Sequence, residues 1–207
     1  MGPRLRPVLI IILLFLLRPA AAEGQTATGW PELKGQEKRI LLLIAREALA
    51  AFLENRPSRE ARVDPRLQAA QPVVVSLSVD GRLRARAWKL KNHLPLYLEA
   101  RDLVQASLAE PKVSDQPLKP EELARARISL AVLGRFQRAK DETEIPPRSA
   151  VIIYNGFKEW LALPDDVPGG SAADLLSYAC GQAGLRPQVW LLPSTTIFYA
   201  SAEYLSE

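Results

Sequence analysis

Apolar and polar positions alternate through residues 71–90, QPVVVSLSVDGRLRARAWKL, and the rest of the chain is organised around that stretch. A Val-rich run meets Asp80-Gly81 and continues as small, apolar and Arg residues in turn, which predicts a β-hairpin. Two registers compete. A two-residue turn at Asp80-Gly81 pairs Leu77 with Arg84 and Val75 with Arg86, mixing charged and apolar groups on one face. A three-residue turn, Val79-Asp80-Gly81 with Gly81 left-handed, pairs Leu77 with Leu83, Val75 with Ala85 and Val73 with Ala87. It gathers Arg82, Arg84 and Arg86 with Ser78, Ser76 and Val74 on the other face. A one-residue slip swaps the faces, so the cleaner sorting selects the three-residue turn. One face is then core, and the other carries a row of three arginines.

Helical periodicity marks two further segments, and capping residues a third. In residues 35–55, Leu41, Ala45, Leu49, Phe52 and Leu53 recur on one stripe, with Ile40, Ile44 and Ala48 beside them. In residues 94–109 the buried face is Leu96, Ala100, Leu103, Val104 and Leu108; Pro95 fits the first turn and Pro111 closes the helix. Ser171 caps a helix that runs to about Ala183, where Gly184 ends it. Residues 127–133 alternate as a strand, and 195–203 make a last one. Residues 150–154 and 157–163 flank Asn155-Gly156 as a second hairpin, for which no register sorts the faces. The stretches 56–71 and 134–147 read as irregular. Two Asx-Gly hairpins favour antiparallel pairing. The expected class is α+β: mainly antiparallel sheets built from two hairpins plus single strands, packed by three helices.

The first 22 residues stand apart. Arg4 and Arg6 precede an unbroken apolar run over residues 8–17, and Ala20-Ala21-Ala22 follows as a small-residue cleavage site. This is the pattern of a secretory signal peptide, and ten apolar residues are too few to span a bilayer. The expected product is periplasmic or secreted, with no transmembrane segment after cleavage. Residues 23–34 form a flexible lead-in, and 35–207 one domain or two small lobes. The leader also changes the charge. It holds three of the chain's 27 basic residues and none of its 23 acidic ones, so what remains has 24 basic against 23 acidic groups. A nucleic-acid partner loses its global support, and none is expected.

Cys180 and His93 are the only cysteine and histidine, which excludes an intrachain disulfide and a Cys/His metal cluster. No cofactor or metal is expected. His93, beside Pro95, reads as an exposed loop residue rather than part of a triad. Tyr97 and Glu99 nearby read as a solvated helix start. Cys180 shares a helix face with Leu176 and reads as packing, since free cysteine is among the most buried residue types.

Order and spacing across residues 41–204 resemble the AMMECR-type domain, found also as protein A of a three-part system with Memo-like and radical-SAM partners. The family's leucine-arginine-glycine-cysteine-isoleucine-glycine falls on Leu83-Arg84-Ala85-Arg86-Ala87-Trp88. Its proline-leucine-threonine-proline-glutamate-glutamate-leucine is similar to Pro117-Leu118-Lys119-Pro120-Glu121-Glu122-Leu123. Its histidine-glycine before a valine-isoleucine-isoleucine strand falls on Ser149-Ala150, and its leucine-proline-glutamine on Leu163-Pro164-Asp165. Leu176, Cys180, Ala183-Gly184-Leu185 and Trp190 resemble its last helix and loop. The resemblance implies a cysteine, a histidine and a glutamine where this chain has Arg86, Ser149 and Asp165. Those three positions are the degenerate family site, and Arg84 survives beside them.

The functional expectation follows from that rewriting. The chain is an exported module of binding or partner interaction rather than an enzyme, with an unidentified protein or an anionic ligand as partner. Arg82, Arg84 and Arg86, extended by Lys89 and Lys91, are its candidate binding residues, because a guanidinium grips oxyanions through two parallel hydrogen bonds. A solvated sheet face is the plainer account of the same row. The alternative is an enzyme with a relocated site in the cleft between the two hairpins, around Arg84, Asp165 and Tyr154. A flat arginine face would favour the partner; a cleft between the hairpins would favour the enzyme.

Overall fold

The computed structural model describes residues 32–59, 63–91, 93–109, 118–156 and 158–207. The expected leader, and the lead-in up to residue 31, lie outside the described residues. Residues 32–34 are pinned: Leu33 is buried, and its N–H donates to Glu203 Oε2 at 3.1 Å. Eleven regular elements follow: α1 (Gly35–Leu53), β1 (Val73–Val79), β2 (Arg82–Trp88), α2 (Leu96–Ala109), β3 (Ala126–Leu133), β4 (Gln137–Ala139), β5 (Ala150–Asn155), β6 (Lys158–Ala162), α3 (Ala172–Gln182), β7 (Thr195–Ala200) and β8 (Ala202–Ser206). Among them no helix is long and apolar enough to cross a membrane.

The three helices start and stop where local chemistry says they should. Glu37 reaches back to the Lys34 N–H at 2.6 Å, satisfying a donor that α1 leaves open. At α3, Ser171 Oγ accepts from the Asp174 N–H while Asp174 Oδ2 accepts from the Ser171 N–H, a reciprocal cap. Gly184, at φ +67°, closes that helix.

Two four-stranded antiparallel sheets, ordered β2-β1-β3-β8 and β4-β7-β5-β6, make the protein α+β. Helices α1 and α2 cover the outer face of the first sheet, burying Val73, Val75, Leu77, Ala85 and Ala87 against Leu41, Leu49, Leu96 and Leu103. Helix α3 covers the outer face of the second, burying Ile153 and Ile197 with Leu176 and Cys180. Between the sheets lies a third core of Val74, Trp88, Ala131, Leu133, Ala150, Ile152, Leu161 and Ala200. The first sheet is therefore covered on both faces.

The first hairpin differs from the expected register. Its turn has two residues, with both Asp80 (φ 51°) and Gly81 (φ 76°) left-handed and Val79 opposite Arg82. Ser78 then faces Leu83, but Leu77 faces Ala85, so Arg84 is the extra residue of a β-bulge. Beyond it Ser76 faces Arg86, Val75 faces Ala87 and Val74 faces Trp88. The bulge resolves the conflict that a uniform register could not. Asp-Gly keeps the two-residue turn its φ angles favour, and Leu77 and Val75 still meet alanines. The three arginines consequently do not share one face.

The expected last strand is two strands. At Ser201 the chain leaves the second sheet as β7 and enters the first as β8. The reverse crossing, β3 to β4, happens at Gly134, whose N–H donates to Ser201 O at 2.8 Å. A Cβ on Gly134 would stand 2.3 Å from Ser201 Oγ, so a larger residue there would make the Ser201 hydroxyl turn away where the two crossovers press together. β4 lies inside the stretch expected to be irregular. The second hairpin pairs Asn155 with Lys158, so Asn155 belongs to the strand rather than to the turn.

Candidate functional site

Arg86 points from β2 into the space between the sheets, and only 7% of it is exposed. A charge placed there needs a partner, because desolvation costs several kcal/mol per ion. Asp166 supplies one. It sits in the helical turn Pro164–Asp166 that follows β6, fixed by accepting the Leu163 N–H at 2.9 Å. Arg86 Nη1 donates to Asp166 Oδ2 at 2.7 Å and Nη2 to Oδ1 at 2.8 Å, a bidentate pair. Arg86 Nε donates to Ser76 Oγ, its cross-strand neighbour, at 3.0 Å. The pair links the first sheet to the loop beyond the second hairpin.

Its neighbours behave differently. Arg84, the bulge residue, donates from Nη1 to Glu122 Oε1 at 2.9 Å, with both side chains mostly covered. Glu122 also accepts the Lys119 N–H; that bond and then the arginine hold its carboxyl below the usual range. Arg82 is exposed. The arginine row is thus one exposed, one half-buried and one buried group. Lys91 is exposed, and Lys89 lies 3.6 Å from Glu99. Glu99 is buried on α2 rather than a solvated helix start, while His93 is exposed.

The three rewritten positions converge only in part. Ser149, which is buried, and Asp165, which is exposed, line one cavity of about 650 Å³ beside the start of α3, walled by Pro146, Pro164 and Pro168. Arg86 does not line it; Arg86 reaches the residue next to Asp165. Two phenols stand near the ion pair. Tyr178 has its pKa raised, by burial and then by the Asp166 charge. Tyr204 is raised further, by burial and then by Asp165 and Asp166, and its buried hydroxyl has no hydrogen-bond partner among the described residues. Among the described residues no three His, Cys, Asp or Glu side chains are grouped to hold a metal ion.

A cleft does exist between the two hairpins. It measures about 640 Å³ and is lined by Trp88, Phe136, Ile152, Tyr154 and Phe198, with Lys89, Lys91 and Glu159 at its polar positions. Trp88 meets Trp160 edge to face, with centroids 5.2 Å apart. Of the three residues expected there, Tyr154 is present, 46% exposed, while Arg84 and Asp165 are elsewhere. Sequence reasoning missed Asp166, Ser76, Glu122 and Tyr204. For Asp166 a local signal existed, since an acid three residues after Leu163 closes the turn begun at Pro164.

Cys180 is fully buried, and burial pushes its thiol up. Native protein should therefore resist thiol reagents that label it once unfolded, and Cys180→Ser should cost about 1–2 kcal/mol, because a buried hydroxyl needs a partner. Fast labelling of the native chain would contradict this. The arginines separate by the same logic. In chemical denaturation Arg82→Gln should change stability by less than about 0.5 kcal/mol, whereas Arg86→Gln should cost about 3–5 kcal/mol by stranding Asp166. A loss below about 1 kcal/mol for Arg86→Gln would mean that its pocket is wet.

Two antiparallel sheets sharing a core, with helices outside, also occur in a solved protein. The crystal structure of an uncharacterised protein from Pyrococcus horikoshii superposes with a TM-score of 0.74 at 23% identity, over 84% of this chain and 93% of that one. In sequence the chain is 28% identical over 195 residues to a protein of Thermococcus gammatolerans, covering 84% of this chain and 92% of the relative. It is 28% identical over 189 residues to one of Methanopyrus kandleri, covering 83% and 89%. The AMMECR1 family model matches residues 42–204, from within α1 to within β8 and including the Arg86–Asp166 pair, and the chain belongs to the AMMECR1 family.

Proposed function

We propose that this AMMECR1-family chain is an exported binding module rather than an enzyme. The observation that carries the reading is the state of position 86. Where the resemblance implies a cysteine there is a guanidinium, held by Asp166 on two sides and Ser76 on the third. An arginine stays protonated and offers donors only, so it serves neither as nucleophile nor as general base. The implied histidine is the hydroxyl of Ser149. Cys180, on α3, is buried among apolar groups of the second sheet's outer core. The residues that would do chemistry are replaced by residues that hold the scaffold together or offer hydrogen bonds. Export rests on the leader pattern of residues 1–22.

One observation favours the enzyme: the cleft between the hairpins, with Tyr154, Glu159, Lys89 and Lys91 around an aromatic lining. Mass spectrometry of the protein isolated from its host addresses both points. Under denaturing conditions the chain should begin at Glu23; a chain retaining residues 1–22 would overturn export. Under native conditions a bound ligand should be released chemically unchanged and should rebind. A ligand returned altered, or an adduct that survives denaturation, would make the protein an enzyme.

A further inference from the structure

The two crossovers between the sheets leave a hollow beside them. It measures about 330 Å³ and is lined by Arg135 and Gln137 after the first crossing, by Arg148 and Ser149 ahead of β5, and by Tyr199, Ser201 and Ala202 around the second. Its polar wall contains two guanidinium groups, three hydroxyls and an amide, and no carboxylate. Neither Arg135 nor Arg148 makes a hydrogen bond or ion pair with another described residue. The Tyr199 hydroxyl donates to Gln137 Oε1 at 2.9 Å, which leaves the amide nitrogen of Gln137 as a further donor.

Arg148 carries a second peculiarity. Its φ is +62°, in the left-handed region that glycine favours and L side chains rarely adopt. The turn that holds it is stiff: Pro146-Pro147 precede it, and the Ser149 N–H closes back on Pro146 O at 3.3 Å. Glycine would suit the backbone better, yet the position keeps a long cation at the wall between two hollows. On the other side of that wall lies Asp165, in the cavity beside α3. An anion is thus favoured in the crossover hollow, which lacks that carboxylate.

We propose that this hollow is a binding site for a phosphate group, held between Arg135 and Arg148 with Ser149, Ser201 and the Gln137 amide as further donors. Two unpaired guanidinium groups match a dianion, and their planar forks suit phosphate oxygens. The volume exceeds what a single phosphate fills and lies at the small end of ligand sites, which leaves room for a short organic ester. This gives the proposed module its ligand class and rests on that reading.

Calorimetric titration of the chain isolated from its host tests it, with inorganic phosphate and glycerol phosphate as separate probes. Saturable one-to-one binding is expected. It should weaken with added salt, fall by roughly tenfold or more in Arg135→Gln and in Arg148→Gly, and persist in Arg39→Gln, an exposed arginine of α1 outside the hollow. Arg148→Gly should melt no lower than the parent, because glycine suits that φ; if it fails to fold, Arg135→Gln decides alone. Tighter binding of glycerol phosphate would assign the site to an ester, and equal binding to free phosphate. No saturable binding of either probe at millimolar concentration, or binding that survives both substitutions, would overturn the site. A site that fails while a native ligand still appears by mass spectrometry leaves the binding module standing. An ester that binds here and is hydrolysed keeps the site and overturns the module.

Discussion

The space between the two sheets is lined mainly by apolar side chains, and a charge that points into it needs a partner. Val74, Trp88, Ala131 and Leu133 of the first sheet meet Ala150, Ile152, Leu161 and Ala200 of the second. Arg86 projects from the same face of β2 as Trp88, and so would be stranded without Asp166 and Ser76. The bidentate pair is what lets a charged residue occupy that face, and it ties β2 to the turn after β6. Such a pair adds little net stability over an apolar one of the same shape, but removing one partner is costly. It therefore acts as a constraint on which residues the position accepts, and it excludes a free reactive group there.

The sheet's second covered face explains where the sequence was readable. Stripes of period 3.6 located α1 and α2, and the Ser171 cap with Gly184 located α3, each within two residues, because each helix buries one side only. Local turn chemistry located both hairpins. The alternation argument for the first hairpin assumed a solvated outer face and one register from turn to end, and both assumptions failed at the bulge on Arg84. A hint was present. Val73, Val74 and Val75 run without a polar break, which is how a strand covered on both faces reads. The final strand was read as one because residues 195–203 carry no turn signal. The switch at Ser201 packs against Gly134, more than sixty residues earlier, and no local pattern records that contact.

The site was legible in position more than in partner. Comparing motifs singled out Arg86, Ser149 and Asp165, and the fold brings Ser149 and Asp165 to one cavity and Arg86 to Asp166, one residue away. The exposed arginine face was not there to be found, since Arg84 turns to Glu122 and Arg86 goes inward. Two cations without a hydrogen bond or ion pair among the described residues, Arg135 and Arg148, meet at one hollow instead, and no periodicity marks them because they lie in connections between strands. Binding residues carried on connections and positioned by a rigid scaffold are common for that reason.

The central claim is that Arg86 and Asp166 act as one buried unit. A double-mutant cycle by chemical denaturation, using Arg86→Met, Asp166→Leu and the two together, measures this most directly. The hydrogen bond from the Leu163 N–H to Asp166 is lost in Asp166→Leu and in the double variant alike, so it cancels from the coupling. The account predicts a coupling of about 2–3 kcal/mol, so that the double variant loses clearly less than the two single losses added together. Additive losses with no coupling would contradict it, and would leave position 86 open for a role in binding or chemistry.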